Sequence, residues 1–363
     1  MRFPEFSGEW ERDSLMNIAS ISKGSGISKE QLSDSGLPCI LYGELYTKYK
    51  SEVITDIYSK TDIETKGLVS SMANDVIIPC SGEAAIEIAT ARCVPMSNIL
   101  LGGDLNIIRL NGHDGRFFAY QLNGKRKIDI AKVAQGVSVV HLYGEHLKKI
   151  NVVYPSFAEQ NKIAQLLSLI DERIVTQNKI IEQLQSLIKG IVVSITAETP
   201  NTRIDKCLVC HSITLQENHI EDFGDSPVYG ANGICGYTVN ADFNEPAILI
   251  VKDGSGVGNV RFVNGKFSVI GTQNILTPQN KFFLKYIFYC LQAFNFVPYK
   301  TGMAIPHIYF KDYGKAKIYC PNFEQQVKIA SQIDLIESKI EIETQLLNKY
   351  EEQKKFLLSN MFI

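Results

Sequence analysis

Residues 136–155 read GVSVVHLYGEHLKKINVVYP, and residues 302–321 read GMAIPHIYFKDYGKAKIYCP. The two stretches align without a gap at an offset of 166. Gly136 falls on Gly302, His141 on His307, Tyr143 on Tyr309, Lys149 on Lys315 and Pro155 on Pro321. The same offset carries PSFAEQNKIA (155–164) onto PNFEQQVKIA (321–330). Self-similarity at this range means one structural unit used twice. Upstream the match is looser. Tyr42-Gly43 pairs with Tyr229-Gly230, Asn106-Ile107 with Asn274-Ile275, and Leu15, Ile18 and Ile21 with Cys207, Cys210 and Ile213. The second copy is therefore shorter, and its loss lies in the part before the closely kept segment.

That kept segment predicts a long helix. Ser156 with Glu159, and Asn322 with Gln325, have the spacing of a capping box. Apolar residues then recur at alternating spacings of four and three. They are Ile170, Ile174, Ile181, Leu184, Ile188, Ile191 and Ile195 in the first copy, and Ile336, Ile340, Leu347, Tyr350 and Leu357 in the second. Gln177 and Glu343 interrupt the stripe at equivalent positions, and Lys354 interrupts it in the second copy alone. A sustained 3.5-residue repeat is a coiled-coil seam. Two separate homotypic coiled coils are one reading. Mutual packing of the two helices is favoured, because one chain supplies both. Neither Pro nor Gly occurs in 156–189 or 322–363, and TAETPNTR (196–203) ends the first helix.

The remaining parts hold short β-prone runs punctuated by Gly, Asn and Asp: Val76–Ile78, Ile99–Leu101, Asn106–Leu110, Ile248–Val251, Val260–Val263 and Phe267–Ile270. Short helices are expected near 28–34, 115–132 and 282–295. The expected class is α+β: two mixed α/β domains, 1–152 and 197–320, and two long helices, 153–196 and 321–363, in an internal repeat.

The chain has 363 residues, 45% apolar and 21% charged, which excludes a disordered tail or a fibre. No run of eighteen apolar residues occurs, and MRFPEFSGEWERD has no apolar signal core, so no membrane span is expected and the expected compartment is the cytoplasm. The net charge of −2 argues against coating nucleic acid by bulk charge, but not against reading DNA with a local surface. By segment it is −1 over 1–152, 0 over 153–196, +1 over 197–320 and −2 over 321–363.

Enzyme signatures are missing from the sequence. There is no phosphate-binding Gly-x-x-x-x-Gly-Lys-Ser/Thr loop, no Asn/Asp-Pro-Pro-aromatic methyltransferase motif, and no pair of acids with a lysine to suggest a nuclease. KDGSGVGNV (252–260) reads as a glycine-rich hairpin. Cys207-Leu-Val-Cys210-His211 matches a haem-attachment motif and could be half a zinc site or a redox pair. Leu15 and Ile18 stand in its place in the first copy, so a core reading is preferred. His141 and His307 occupy the same place in both copies. They either brace a loop or present it to a ligand.

Phosphates need cations, and base edges need Arg, Lys, Asn, Gln, Ser or Thr on accessible loops. The candidates for DNA contact are Lys23, Ser81, Arg92, Lys125, Arg126, Lys127, Ser138 and His141 in the first copy. In the second they are Tyr229, Asn232, Lys252, Arg261, Asn274, Lys300, Thr301 and His307.

RFPEFSGEW (2–10) with Leu15, the Pro-x-Phe-x-x-Gln-x-Lys-Ile-Ala helix starts at Pro155 and Pro321, and GVSVVHLYG and GMAIPHIYF together resemble the specificity subunit of type I restriction–modification systems. Tyr-Pro and Cys-Pro stand where that family more often has Pro-Pro. The resemblance covers essentially the whole chain. It implies two target recognition domains, each reading half of an asymmetric bipartite DNA site, with the two long helices packed as an antiparallel coiled coil in a pseudo-two-fold arrangement, setting the spacer and docking two methyltransferase subunits. Motor-nuclease subunits would join these. The resemblance also implies that the chain itself is not catalytic and that S-adenosylmethionine, ATP and magnesium bind its partners. Two alternatives are a solitary sequence-specific nuclease or methyltransferase, and a coiled-coil scaffold that binds proteins only.

Overall fold

The structure is a computed structural model that describes residues 2–362 apart from 212–214, 216–219, 222, 280 and 304. Ile213 of the upstream pairing lies outside the described residues. The chain divides into two compact units, Met1–Asn178 with Gln345–Ile363, and Lys179–Thr344.

Both units are built on one sheet topology. In unit 1 the strands are β1 (Ala19–Lys23), β2 (Asp75–Pro79), β3 (Arg92–Val94) and β4 (Leu105–Leu110), ordered β1-β4-β2-β3 and antiparallel throughout. In unit 2 they are β5 (Leu208–His211), β6 (Ala247–Val251), β7 (Val260–Val263) and β8 (Gln273–Pro278), ordered β5-β8-β6-β7. The central strands are apolar along their length because both faces are covered. Val76 and Ile78 enter the larger core of unit 1 while Ile77, between them, enters a second core on the opposite face. Ile248 and Ile250, against Ala247 and Leu249, do the same in unit 2.

Asn106 and Asn274 are the second residues of β4 and β8, opposite Ile78 and Ile250, as the repeat predicts. The first strands need a correction. Leu15 N donates to Ile150 O and Met16 N to Lys148 O. Ile204 N to Ala316 O and Asp205 N to Gly314 O are the equivalents. The true partners of Leu15, Ile18 and Ile21 are thus Ile204, Cys207 and Cys210. The sequence alignment was one helical turn off, and a three-residue slip keeps the same apolar spacing.

The second copy is shorter in its outer sheet. Unit 1 has four strands there (Leu32–Ser33, Leu37–Ile40, Ser59–Thr61, Leu100–Leu101), and among its described residues unit 2 has three (Ser226–Gly230, Gly233–Thr238, Ser268–Val269). Near 28–34 the expected helix is a single 3-10 turn, Lys29–Gln31, held by a Ser28/Gln31 capping box and followed by a strand. Helices α1 (Gly115–Asn123) and α3 (Leu284–Gln292) lie where expected.

Helix α2 runs Phe157–Ala197, straight through Gly190, and α4 runs Phe323–Asn360. Each unit contains the first part of one and the last part of the other, the order an antiparallel pair gives. Burial follows the 3-4 rhythm. Ile170 and Leu357 are buried, and Ile174, Ile181, Leu184, Ile188, Ile336, Ile340, Leu347 and Tyr350 are half-buried between exposed neighbours. The polar Gln177 and Glu343 are buried within the stripe. A window of α2 reaches a mean hydropathy of 1.3, enough by length and composition to cross a membrane. The apolar residues are instead striped and shared with cores: Ile163, Leu167 and Ile170 join Leu357 in unit 1, and Val192 and Ile195 join Ala330 and Ile333 in unit 2.

One glutamine fastens each globular part to its helix. Gln160 Nε2 donates to Pro155 O at 2.8 Å and its Oε1 accepts from Asp114 N at 3.0 Å, just before α1. Gln326 Nε2 donates to Pro321 O at 2.8 Å and its Oε1 accepts from Phe283 N at 2.9 Å, just before α3. Both side chains are buried. The capping boxes are only half formed. Glu159 N donates to Ser156 Oγ, but the Glu159 carboxylate turns to Arg2, which holds it by two bonds of 2.8 Å.

Cys207 is buried with its sulfur 3.8 Å from that of Cys320, and the Cys320 thiol and burial push its pKa far above the ordinary thiol value. Burial pushes the half-buried Cys210 up to about 11. Both thiols are protonated at neutral pH, whereas metal ligation and exchange need thiolate.

Candidate nucleic-acid interface

The repeated segment forms the same loop in both units. Gln135 N donates to His141 O at 2.9 Å and His141 N to Gln135 O at 2.7 Å. Thr301 N donates to His307 O at 2.9 Å and His307 N to Thr301 O at 2.8 Å. Each pair closes a five-residue loop. Gly136 (φ +127°) and Gly302 (φ +88°) open the two loops, and a Cβ there would lie 2.0 Å from Val139 O and 2.4 Å from Ile305 O. Only glycine fits. Each loop is set on its unit by its histidine. His141 pairs with Ser81, and His307 pairs with Asp253 and brings Nδ1 within 2.6 Å of Asp253 Oδ1. The histidines are thus loop braces that also reach solvent; His141 stacks on Tyr143 at 6.1 Å.

The other candidates divide by burial. In unit 1 Lys23, Lys125 and Ser138 are exposed. Ser81 is buried and donates to Asp104 at 2.8 Å. Arg92 is buried with its guanidinium on the carbonyls of Tyr49, Ala91 and Leu45, and burial lowers its pKa. These two are corrected to structural roles: Ser81 is held by Asp104, and a buried guanidinium bonded to backbone carbonyls is turned into the fold rather than toward a base. The Lys125-Arg126-Lys127 run is not a uniform basic face. Arg126 and Lys127 are half-buried, Arg126 lies 3.4 Å from Asp129, and burial lowers the Lys127 pKa. Gly124, just before the run, packs on Leu358 of α4.

In unit 2 Asn232, Lys300 and Thr301 are exposed, and Tyr229, Lys252 and Arg261 are half-exposed. Asn232 sits in the two-residue turn between Gly230 and Gly233. The Arg261 guanidinium lies over the Tyr229 ring at 5.6 Å, a cation–π pair beside that turn. Asn274 is buried and donates to the Tyr313 hydroxyl at 3.0 Å, so it too is corrected to a structural role. KDGSGVGNV is the hairpin loop between β6 and β7, as read.

Sequence reasoning missed two features. A cavity of about 860 Å³ in unit 1 is lined by Ile27, Lys29, Leu41, Tyr42, Tyr46 and Lys48. The Tyr46 hydroxyl donates to Ser81 O at 3.2 Å, joining the cavity to the short strand that pairs with His141. The pairing of Tyr42 with Tyr229 was the available signal. The exposed apolar tips of the two loops were also overlooked, because apolar residues suggest core.

The sequence profile of the type I restriction modification DNA specificity domain matches residues 7–186 and 210–352. A curated relative, the specificity subunit of the type I restriction enzyme EcoprrI from Escherichia coli, is 27% identical over 108 residues; that match spans 30% of this chain and 27% of the relative. Among solved structures, the S subunit of a type I restriction–modification system from M. genitalium matches with a TM-score of 0.69 at 17% identity, covering 100% of this chain and 99% of that one. A structure described as bearing on complex assembly and conformational transition of the type I R-M system matches with a TM-score of 0.58 at 12% identity, covering 98% and 97%. At such identities the likeness speaks for the fold.

Proposed function

The chain belongs to the type I restriction modification DNA specificity domain family, and from that membership we propose that it is the DNA-reading subunit of such a system. Each globular unit reads one half of a bipartite site. The halves differ because the units differ in sequence everywhere except the kept loop and helix start. One observation carries the reading. The same sheet and the same outward loop occur twice, each leading into a helix of about 40 residues.

Such helices, about 60 Å long at 1.5 Å per residue, act as the ruler between half-sites about one helical turn, or 34–36 Å, apart. Two methyltransferase subunits dock on them and motor-nuclease subunits join, in the cytoplasm. S-adenosylmethionine, ATP and magnesium bind those partners, and this chain supplies sequence discrimination without catalysis. The base-reading groups are the exposed polar residues around the loops: Lys23, Ser138 and His141 in unit 1, and Tyr229, Asn232, Lys252, Arg261, Lys300, Thr301 and His307 in unit 2. The test is to express the chain with its methyltransferase subunit and sequence the methylated bases of the host genome. A split motif with two unlike halves is expected. Methylation or cleavage by the purified chain alone would instead support a solitary enzyme.

A further inference from the structure

The tips of the duplicated loops are apolar and unburied. Val137 is 96% exposed and Met303 is fully exposed; Val139 and Ile305, two residues on, are 53% and 57% exposed. Tyr143 and Tyr309 follow at 45% and 49%. All three pairs share the offset of 166. Val137 and Met303 bury almost nothing in their own fold, so the recurrence of apolar residues at these places in both copies, in domains that otherwise diverge, points to a ligand common to both. The loop that carries them is fixed by its reciprocal backbone bonds and its glycine, so the tips are presented without further ordering.

The surroundings are cationic. Lys300 is exposed next to the second loop, and Lys311 lies 5.3 Å from the centre of the Tyr309 ring. Lys132 is exposed three residues before the first loop. Lys23 is exposed as well, and its charge reaches Cys80, whose carbonyl takes the Leu142 amide. Two carboxylates beside the loops are already engaged, Asp253 by His307 and Glu145 by Lys148. An apolar point inside a rim of lysines suits a polyanion with an apolar interior.

Resting on the DNA-reading proposal above, we infer that Val137 with Val139, and Met303 with Ile305, are wedges that press against or between base steps of the duplex. They add affinity and bend the DNA without reading its sequence, as inserted aliphatic side chains do in architectural DNA-binding proteins. The wedge explains why the loop is the same in both units although the half-sites differ.

The test uses the full chain assembled with its methyltransferase subunits. Val137→Ser with Val139→Ser, and Met303→Ser with Ile305→Ser, are compared with Val137→Ile and Met303→Leu. Affinity for site-bearing and unrelated duplexes is measured, together with end-to-end fluorescence transfer as a readout of bending. The serine variants should assemble normally, keep the methylated motif, bind both duplexes about tenfold more weakly and bend them less, while the conservative variants match wild type. Unchanged affinity and bending would overturn the wedge. So would loss of assembly with the methyltransferase in the absence of DNA, which would assign the tips to a protein contact. A wild-type complex with no sequence preference at all would sink the underlying reading instead, before any variant is made.

Discussion

At the scale of single residues, Lys354 shows why a polar break in an apolar stripe carries information. It reaches Glu52 at 2.5 Å and Asp171 at 2.6 Å, and Asp171 also accepts from the Tyr120 hydroxyl at 2.8 Å. Both carboxylates are buried. Unit 2 makes an equivalent weld with the cation on the other side: Tyr289 donates to Asp334 and Glu337, and Lys285 comes from α3 rather than from the long helix. Burial and the Glu52 charge raise the Asp171 pKa, and Lys354 opposes them. Lys354→Met should therefore cost about 3–5 kcal/mol at neutral pH, since two buried carboxylates lose their counter-charge. Asp171 would then rise further, so the folded variant would bind more protons than the unfolded chain above the usual carboxylate range. Its stability should increase as the pH falls from 7 to 5, and denaturant melts of the full chain at the two values check the sign.

Gln160 and Gln326 were legible only as members of a repeated motif. What they do was not, because their partners, Asp114 N and Phe283 N, lie far back in the divergent parts. Gln160→Ala should cost about 1–3 kcal/mol, since a buried backbone donor and acceptor both lose their partner. Gln160→Glu should cost at least as much, because it keeps the size but removes the donor. Denaturant melts of the two variants against wild type give the comparison. Arg92 and Asn274 illustrate the converse. Residue type suggested DNA contact at both, and only the fold reveals that each is already engaged by protein.

At the scale of elements, the helices were the most legible part of the chain, because a 3.5 repeat is a one-dimensional signal. The central strands were legible for the same reason: runs such as Ile248–Val251 are apolar on both faces. The first strands were misaligned because a single helical turn tolerates a three-residue slip, and the outer sheet was not foreseen because its strands are two to six residues long. The repeat makes a spacing prediction possible. Removing residues 174–180 together with their equivalents 340–346 deletes one heptad from each helix and keeps the seam in phase. The helices shorten by about 10 Å, the rise of about three base pairs. Methylated-base sequencing should show a spacer about three base pairs shorter between unchanged half-sites; altered half-site bases would count against a ruler.

At the scale of the whole molecule, charge and duplication combine. The globular segments are near neutral and the larger deficit lies in 321–363, where a protein partner is expected. A chain that neutralises few phosphates releases few counterions. The isolated chain should therefore bind DNA weakly, with a shallow salt dependence, and the assembled complex should bind more tightly with a steeper one. Reading by two separate units also predicts modularity. Each unit has its own sheet and cores, and its glutamine clamp fastens it to helix segments that the kept motif specifies. Replacing residues 1–152 with the matching part of a relative, and leaving 153–363 intact, should keep the clamp wherever the incoming domain presents a backbone amide in the place of Asp114 N. The methylated motif of cells carrying the exchange should change in one half, with the spacer and the other half retained. An unchanged motif would show that the exchanged unit reads nothing, and a change in both halves would show that the units do not read independently.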